Sequence, residues 1–405
     1  MALKGDNMVR VKQSNRSAIL NLLHEEGGLS RKRIAEKLML TPAAITLIIG
    51  DMIKEGLLRE GETLPGAGSA GRKEVIVEIN SKSFIGLGVS INLHDIILSA
   101  VYLDGTVLFH KSIPNDTKMP VEAMVDFVSN ELKALVKKYR LESNSIVGLG
   151  VAIRGIVDRD RKISIHSFGA LRDNNIPLYK MFEEKTGYRV TMENNVRSLS
   201  EAHIFMTRKP RPSSMLFLRA EIGIGGAVTI NSEAHLGGNG KCSELGHIPV
   251  AKNGKLCKCG KRGCLETIAS PEAIENDVKS IYSIEKTPQL YKMTDGDIEN
   301  VNFDLIIEAA LSGDEKIEKI IRHSIIHLAD VLKVIIYAID PQKIILYGKM
   351  FRNKNYLDWL NHEMMIGTDD YRETVIKESE FNMTLENKCA GIMALRTFYT
   401  EGGFH

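Results

Sequence analysis

Apolar and polar residues alternate in two rhythms along this chain, and the change between them divides it. Over residues 15–26 apolar side chains at Ile19, Leu20, Leu22 and Leu23 form one helical stripe, and Gly27-Gly28 ends it. Ser30 then caps a second helix carrying Ile34, Ala35 and Leu38, and Thr41-Pro42 opens a third that runs to about residue 55. Gly56 stops it. Residues 57–60 and 74–79 read as two strands, joined by the glycine-rich loop 65–73. Helix, helix, helix, hairpin is the winged helix-turn-helix pattern, in which the third helix enters the major groove and the hairpin tip meets the flanking backbone or minor groove.

From Phe84 the rhythm becomes strand-like. Apolar runs at 85–89, 96–102 and 107–113 precede a helical pattern at 121–139 and another strand at 146–153. The later half begins similarly, with strands at 215–218 and 226–230, helices at 271–282, 303–311 and 314–339, and a strand at 343–347. Two α/β lobes enclosing a cleft are expected, with ligands at the carboxyl ends of strands. The loops after Ile153, Met192 and Ile230 are therefore the ones to inspect.

Composition narrows the class. A chain of 405 residues suggests two or three domains, and 43% hydrophobic content fills their cores. The formal net charge is only +2, so a nucleic-acid partner must be met by a local patch. Residues 1–80 hold twelve Lys and Arg against ten Asp and Glu, and position carries the argument. Arg31, Lys32 and Arg33 open the second helix, and Arg72 and Lys73 tip the wing, where they would neutralise phosphates. The front of the third helix offers Thr41, Ala43, Ala44 and Thr46, which suit thymine methyls better than bidentate guanine contacts. A protein–protein or dimerisation module is the alternative reading of the same pattern. No signal-like apolar segment follows Met1 and no stretch is long enough for a membrane helix, so a cytoplasmic protein with no membrane partner is expected.

The stretch from His247 to Cys264 packs one imidazole and three thiols into eighteen residues. Cys257, Cys259 and Cys264 are spaced by Gly260 and Gly263, which let the backbone double back and aim three sulfurs at one point. His247 with the three cysteines makes the four-ligand set of a structural zinc, one per chain, which would brace a loop and activate no water. A redox pair, or unrelated buried thiols, is the competing reading.

These residues, together with Glu244-Leu245-Gly246-His247 and Cys264-Leu265-Glu266, resemble the ROK family (repressors, open reading frames and sugar kinases) over essentially the whole chain. The winged helix places it with repressors of the xylose and N-acetylglucosamine type. The resemblance implies an actin-like ATPase (ribonuclease H-like) body behind the winged head. The expected division is a head at 1–80, a first lobe at 81–196 completed by a C-terminal helix at 388–400, and a second lobe at 197–387 with the zinc loop and dimerisation helices. It also implies sugar-facing roles for Gly155, Asn194, Asn195, Glu244, His247 and Glu266. Carboxylates accept from vicinal hydroxyls and an amide both donates and accepts, which suits a polyol. Without the resemblance, Asn194 and Asn195 would read as turn residues.

The family's kinase chemistry is not matched. Gly88 stands where an Asp of the first phosphate turn belongs, Glu221-Ile222 replaces a small Gly-Thr, and Leu346-Tyr347-Gly348-Lys349 replaces a run of glycines near the nucleotide base. Asn195 replaces the catalytic Asp, and a carboxamide is no general base. The expectation is a non-enzyme: a sugar-responsive repressor of carbohydrate-utilisation genes, binding operator DNA and a small unphosphorylated sugar effector as a homodimer or tetramer. A sugar kinase with a regulatory head, and an activator or scaffold, are the alternatives.

Overall fold

The structure is a computed structural model that describes residues 8–64, 74–207, 211–238, 240, 242, 244–366, 376–378 and 383–403. Helix α1 (Met8–Glu26) is followed by the short strand β1 (Leu29–Ser30), α2 (Arg31–Leu38), α3 (Pro42–Lys54) and the strands β2 (Leu58–Leu64) and β3 (Glu74–Ile79). Capping sets both helix starts. Ser30 accepts from the Arg33 N–H at 3.4 Å, and Thr41 accepts from the Ala44 N–H at 3.2 Å with Pro42 at the first helical position. The apolar stripes of the three helices, with Leu57, Leu58 and Val77, make one small buried core.

The first lobe runs β4 (Ile85–Ile91), β5 (Asp95–Tyr102), β6 (Val107–Pro114), α4 (Val121–Lys138), β7 (Ile146–Ile153), β8 (Ile156–Asp158), β9 (Ile163–His166), α5 (Leu178–Thr186), β10 (Val190–Asn194) and α6 (Asn195–Met206). The second runs β11 (Ser214–Ala220), β12 (Ile224–Ile230), β13 (Glu233–Ala234), α7 (Glu266–Ala269), α8 (Pro271–Ile281), α9 (Pro288–Met293), α10 (Phe303–Leu311), α11 (Glu315–Ile339), β14 (Lys343–Tyr347), α12 (Lys349–Arg352), α13 (Lys354–Met365) and β15 (Ile376–Glu378). The chain ends with α14 (Met383–Glu386) and α15 (Cys389–Thr400). The sheets, ordered β6-β5-β4-β7-β10 and β13-β12-β11-β14-β15, repeat one plan: three antiparallel strands, then two parallel ones. Parallel neighbours need a crossover, and helices supply it in each.

The chain divides into two compact units, residues 1–211 with 383–405, and residues 212–382. The break expected at 196/197 falls inside the first unit, at the first turn of α6, because α6 packs on α15 and on strands of its own lobe. The head belongs to that unit as well.

In β4 the two faces alternate strictly. Ile85, Leu87, Val89 and Ile91 enter the lobe core with α4 and α5, whereas Gly86, Gly88 and Ser90 lie under α15. A Cβ on Gly88 would stand 2.5 Å from the Gly391 nitrogen, and one on Gly150 of β7 would stand 1.7 Å from the Ala390 oxygen. Helix α15 thus lies directly on the sheet, and Gly88 is the residue that this contact demands.

α15 and α6 also hold the head. The Arg16 side chain in α1 is fully buried; its Nε donates to the Gly402 carbonyl at 2.7 Å, and its two Nη atoms meet the carboxylate of Glu55, the residue that closes α3. The His24 ring Nε2 lies 2.8 Å from the Phe205 carbonyl at the end of α6, and the ring packs against those of Phe205 and Tyr399, which also meet each other. Arg211 pairs with Glu25 at 2.8 Å.

Candidate functional site

In the second unit, His247 closes a short 3-10 turn that starts after Glu244, and Cys257, Cys259 and Cys264 lie on the loop that follows. Gly263 makes the return possible. Its φ is +68°, and a Cβ there would sit 1.7 Å from the Ala251 oxygen. The four ligand atoms all lie within 4.8 Å of one another. Cys257 Sγ is 3.4 Å from His247 Nδ1, and Cys259 Sγ is 3.6 Å from Cys264 Sγ. Two donors on one tetrahedral ion with bonds of about 2.0–2.3 Å stand roughly 3.5–3.8 Å apart, so the donor set fits a single metal. Burial raises the Cys257 and Cys264 thiols above the ordinary range, so a cation here would have to displace their protons.

Glu266 opens α7 beside this cluster, its Oε1 accepting from the Cys257 thiol at 3.0 Å and standing 3.5 Å from His247 Nδ1. Its position is thereby tied to the His/Cys cluster. Glu244 is half-buried, and its carbonyl accepts from the His247 N–H at 3.0 Å.

Gly155, Asn194 and Asn195 lie together in the first unit. Gly155 has φ +107° and would carry a Cβ 1.9 Å from the His166 oxygen, so no other residue fits the turn. Its carbonyl accepts from Asn194 Nδ2 at 2.5 Å, while Asn194 Oδ1 accepts from the N–H groups of Val196 and Arg197. Asn194 is therefore the N-cap of α6, as its turn character suggested, and it welds the Gly155 turn to that helix. Asn195 differs. It is 8% exposed, and its carboxamide has no hydrogen-bond partner among the described residues. Its amide atoms are not sealed from solvent, so they stand open to a ligand or to water.

Sequence reasoning missed the carboxylate behind these residues. Glu193 is fully buried at the end of β10, accepts from Arg197 Nε at 2.7 Å and pairs with Arg159, which also reaches Glu201 at 3.0 Å. The visible trace was an i,i+4 Glu/Arg pair across the strand–helix junction.

The positions that the resemblance sets against kinase chemistry have structural occupants. Gly88 is covered by α15. In the second unit the Glu221 carboxylate accepts from the Lys349 N–H at 2.8 Å, capping α12, and Tyr347 is fully buried with its ring 5.5 Å from that of Phe217. Two departures distant in sequence thus meet, and protein fills both.

In the head, Thr41 spends its hydroxyl on the α3 cap, Thr46 donates to the Pro42 carbonyl at 2.7 Å, and Ala43 is exposed with Ala44 half-covered. Arg31 pairs with Glu60 at 2.8 Å and Arg33 with Glu36 at 3.5 Å, whereas Lys32 is exposed with no ion pair among the described residues. Arg72 and Lys73 lie outside the described residues.

A family model for the ROK family matches residues 86–378, most of the chain. The chain belongs to the ROK family. A winged helix-turn-helix DNA-binding model matches residues 13–59. Among curated relatives, the chain is 28% identical over 346 residues to the DNA-binding transcriptional dual regulator NagC of Escherichia coli K12, covering 85% of this chain and 82% of the relative. Among solved structures, a ROK family transcriptional regulator homologous to the E. coli MLC protein superposes with a TM-score of 0.78 at 22% identity, covering 97% of this chain and 98% of that one. A ROK glucokinase from Streptomyces griseus, solved with glucose and AMPPNP, gives 0.65 at 21% identity over 77% of this chain and 99% of that one. The glucokinase leaves about a quarter of this chain unmatched. No helix among the described residues is long and apolar enough to cross a membrane.

Proposed function

We propose that this ROK protein is a sugar-responsive, DNA-binding transcriptional repressor of carbohydrate-utilisation genes, with a kinase-like body that binds an unphosphorylated sugar and transfers no phosphate. The observation that carries this reading is Asn195: a largely buried residue whose solvent-reached amide has no internal partner among the described residues, standing where the family resemblance calls for a catalytic carboxylate. It can read a hydroxyl but cannot take its proton, and loss of a general base alone costs about 10²–10⁴ in rate. The filled positions at Gly88 and Glu221 argue the same way against a bound triphosphate. In the first unit Asn195 is the proposed hydroxyl-reading group, on a turn that Asn194 and Gly155 fix, and in the second unit Glu244, His247 and Glu266 are proposed for the same role. His247, Cys257, Cys259 and Cys264 would hold zinc, whose contribution is to brace the loop carrying His247 and to fix the neighbouring Glu266.

The head is proposed to bind operator DNA through α3, with Lys32, Arg31, Arg33, Arg72 and Lys73 on phosphates. A homodimer would place two heads on a pseudo-palindromic site. The DNA-binding regulator NagC as a relative and the winged-helix match support the DNA-binding part of this reading. The test pairs two measurements on the full-length protein: duplex binding by the upstream region with and without a panel of sugars, and ADP release with ATP, magnesium and the same sugars. Sugar-dependent DNA binding with background ADP release is expected. Turnover that follows sugar identity would favour the kinase reading, which the glucokinase likeness keeps as the rival.

A further inference from the structure

The face that α3 turns to solvent has a composition that the head's own packing does not account for. Leu47 lies at its centre with 73% of its surface exposed, although Ile45, Ile48, Ile49 and Met52 of the same helix are buried. Gly50 follows three residues later on the same face. It is inside the helix, where glycine is a poor former, and a Cβ placed on it would meet nothing within 4 Å. The fold therefore gives no reason for either residue. Helix α3 contains no Arg, Asn, Gln or His, so it has none of the forked donors that read a guanine or adenine edge. Lys54, one turn beyond Gly50, and Lys32 on α2 are exposed and without an ion pair among the described residues. Asp51 beside Gly50 is held by Lys12 at 2.8 Å, and a small apolar strip of this kind, followed on its own helix by the unpaired Lys54, is complementary to thymine methyls lying near phosphates.

We propose that Leu47 and Gly50 are the base-reading positions of α3: Leu47 packs on the 5-methyl group of a thymine in the major groove, and Gly50 lets the helix backbone close onto the groove at the next turn. This rests on the reading of the head as a DNA-binding module and adds the residues and the base chemistry it recognises. Specificity then comes from methyl contacts and close approach, and the operator carries an obligatory thymine in each half-site.

The experiment uses the full-length protein and duplexes that it selects from a random pool, with binding measured at fixed salt. Replacing each dT in turn by dU removes one methyl group and nothing else. At one position per half-site the exchange should weaken wild-type binding roughly fourfold, the worth of one buried methyl-sized group. Leu47→Ala should be indifferent to that exchange and respond normally at the other positions. Gly50→Ala should melt about 2–4 °C higher, since alanine is the better helix former. It should also bind the selected duplex about tenfold more weakly. This opposition of stability and binding is what an ordinary structural glycine would not produce. Leu47→Ala that keeps the dU sensitivity overturns the methyl contact, and Gly50→Ala with wild-type affinity overturns the close approach. A change of oligomeric state in Leu47→Ala with unaltered DNA binding would assign the face to a protein partner instead. Failure of the wild-type chain to retain any duplex would overturn the DNA-binding reading itself, and this proposal with it.

Discussion

Asn195 is the first residue of α6. Its carboxamide is isosteric with the carboxylate that the resemblance calls for, so restoring the carboxylate tests whether chemistry was lost at one residue or at several. Asn195→Asp is expected to leave ADP release at background, because Gly88 remains under α15 and Glu221 still caps α12. Turnover in that single variant would show that the phosphate positions are intact. His24 is the second residue with a legible consequence. Burial lowers its pKa below the ordinary value of about 6.5, against the opposing pull of its bond to the Phe205 carbonyl. Arg211 adds to the lowering, while Glu25 and Asp104 oppose it. Between its folded value and about 6.5 the unfolded chain binds more protons, so the stability His24 contributes is present above that pH and is lost as pH falls through the folded value. Chemical denaturation from pH 7.5 downward should show a slope that His24→Gln flattens. An unchanged slope would mean that the ring is not desolvated.

At the scale of elements, α1, α6 and α15 act as one clamp. Arg16 joins the end of α3 through Glu55 to the chain's last turn through Gly402, and His24 joins α1 to the end of α6, whose first turn carries Asn195. One rigid helix thus spans from a proposed sugar-reading residue to a contact with the head. Arg16→Ala should cost about 2 kcal/mol, mostly for the orphaned Gly402 carbonyl and lost packing. Glu55 is 43% exposed and recovers water, so its share is small. Hydrogen exchange should rise together in α1 and in the last turn of α15. A rise in α1 alone would show that the two do not open as one piece. None of this was visible as pattern: Arg16 sits in a polar stretch and reads as a solvated cation until α15, some 380 residues later, covers it.

At the scale of the molecule, the proposed metal loop and the proposed sugar residues of the second unit share His247 and the neighbouring Glu266. Cys264→Ser, at a fully buried position, is expected to lose metal and sugar affinity together while the head, in the other unit, keeps duplex affinity. Metal content, sugar titration and operator binding on one preparation decide it. A metal-free variant with normal sugar affinity would separate the loop from the sensor, and loss of all three would make the metal a requirement for folding.

What the sequence determined by itself was local or periodic. The helix stripes and caps of the head, the strands of both lobes and the cysteine spacing each rest on interactions within a few residues, where propensity, capping and glycine turns act directly. The tertiary structure decided whatever depends on two distant segments meeting. It placed α6 with the first unit, seated α15 on Gly88, brought Glu221 to Lys349, and buried Arg16 and Glu193 among their partners. A residue's burial and its charge partners are set by chain that has yet to return when the residue is read, and long-range pairing leaves no trace in local hydrophobic rhythm.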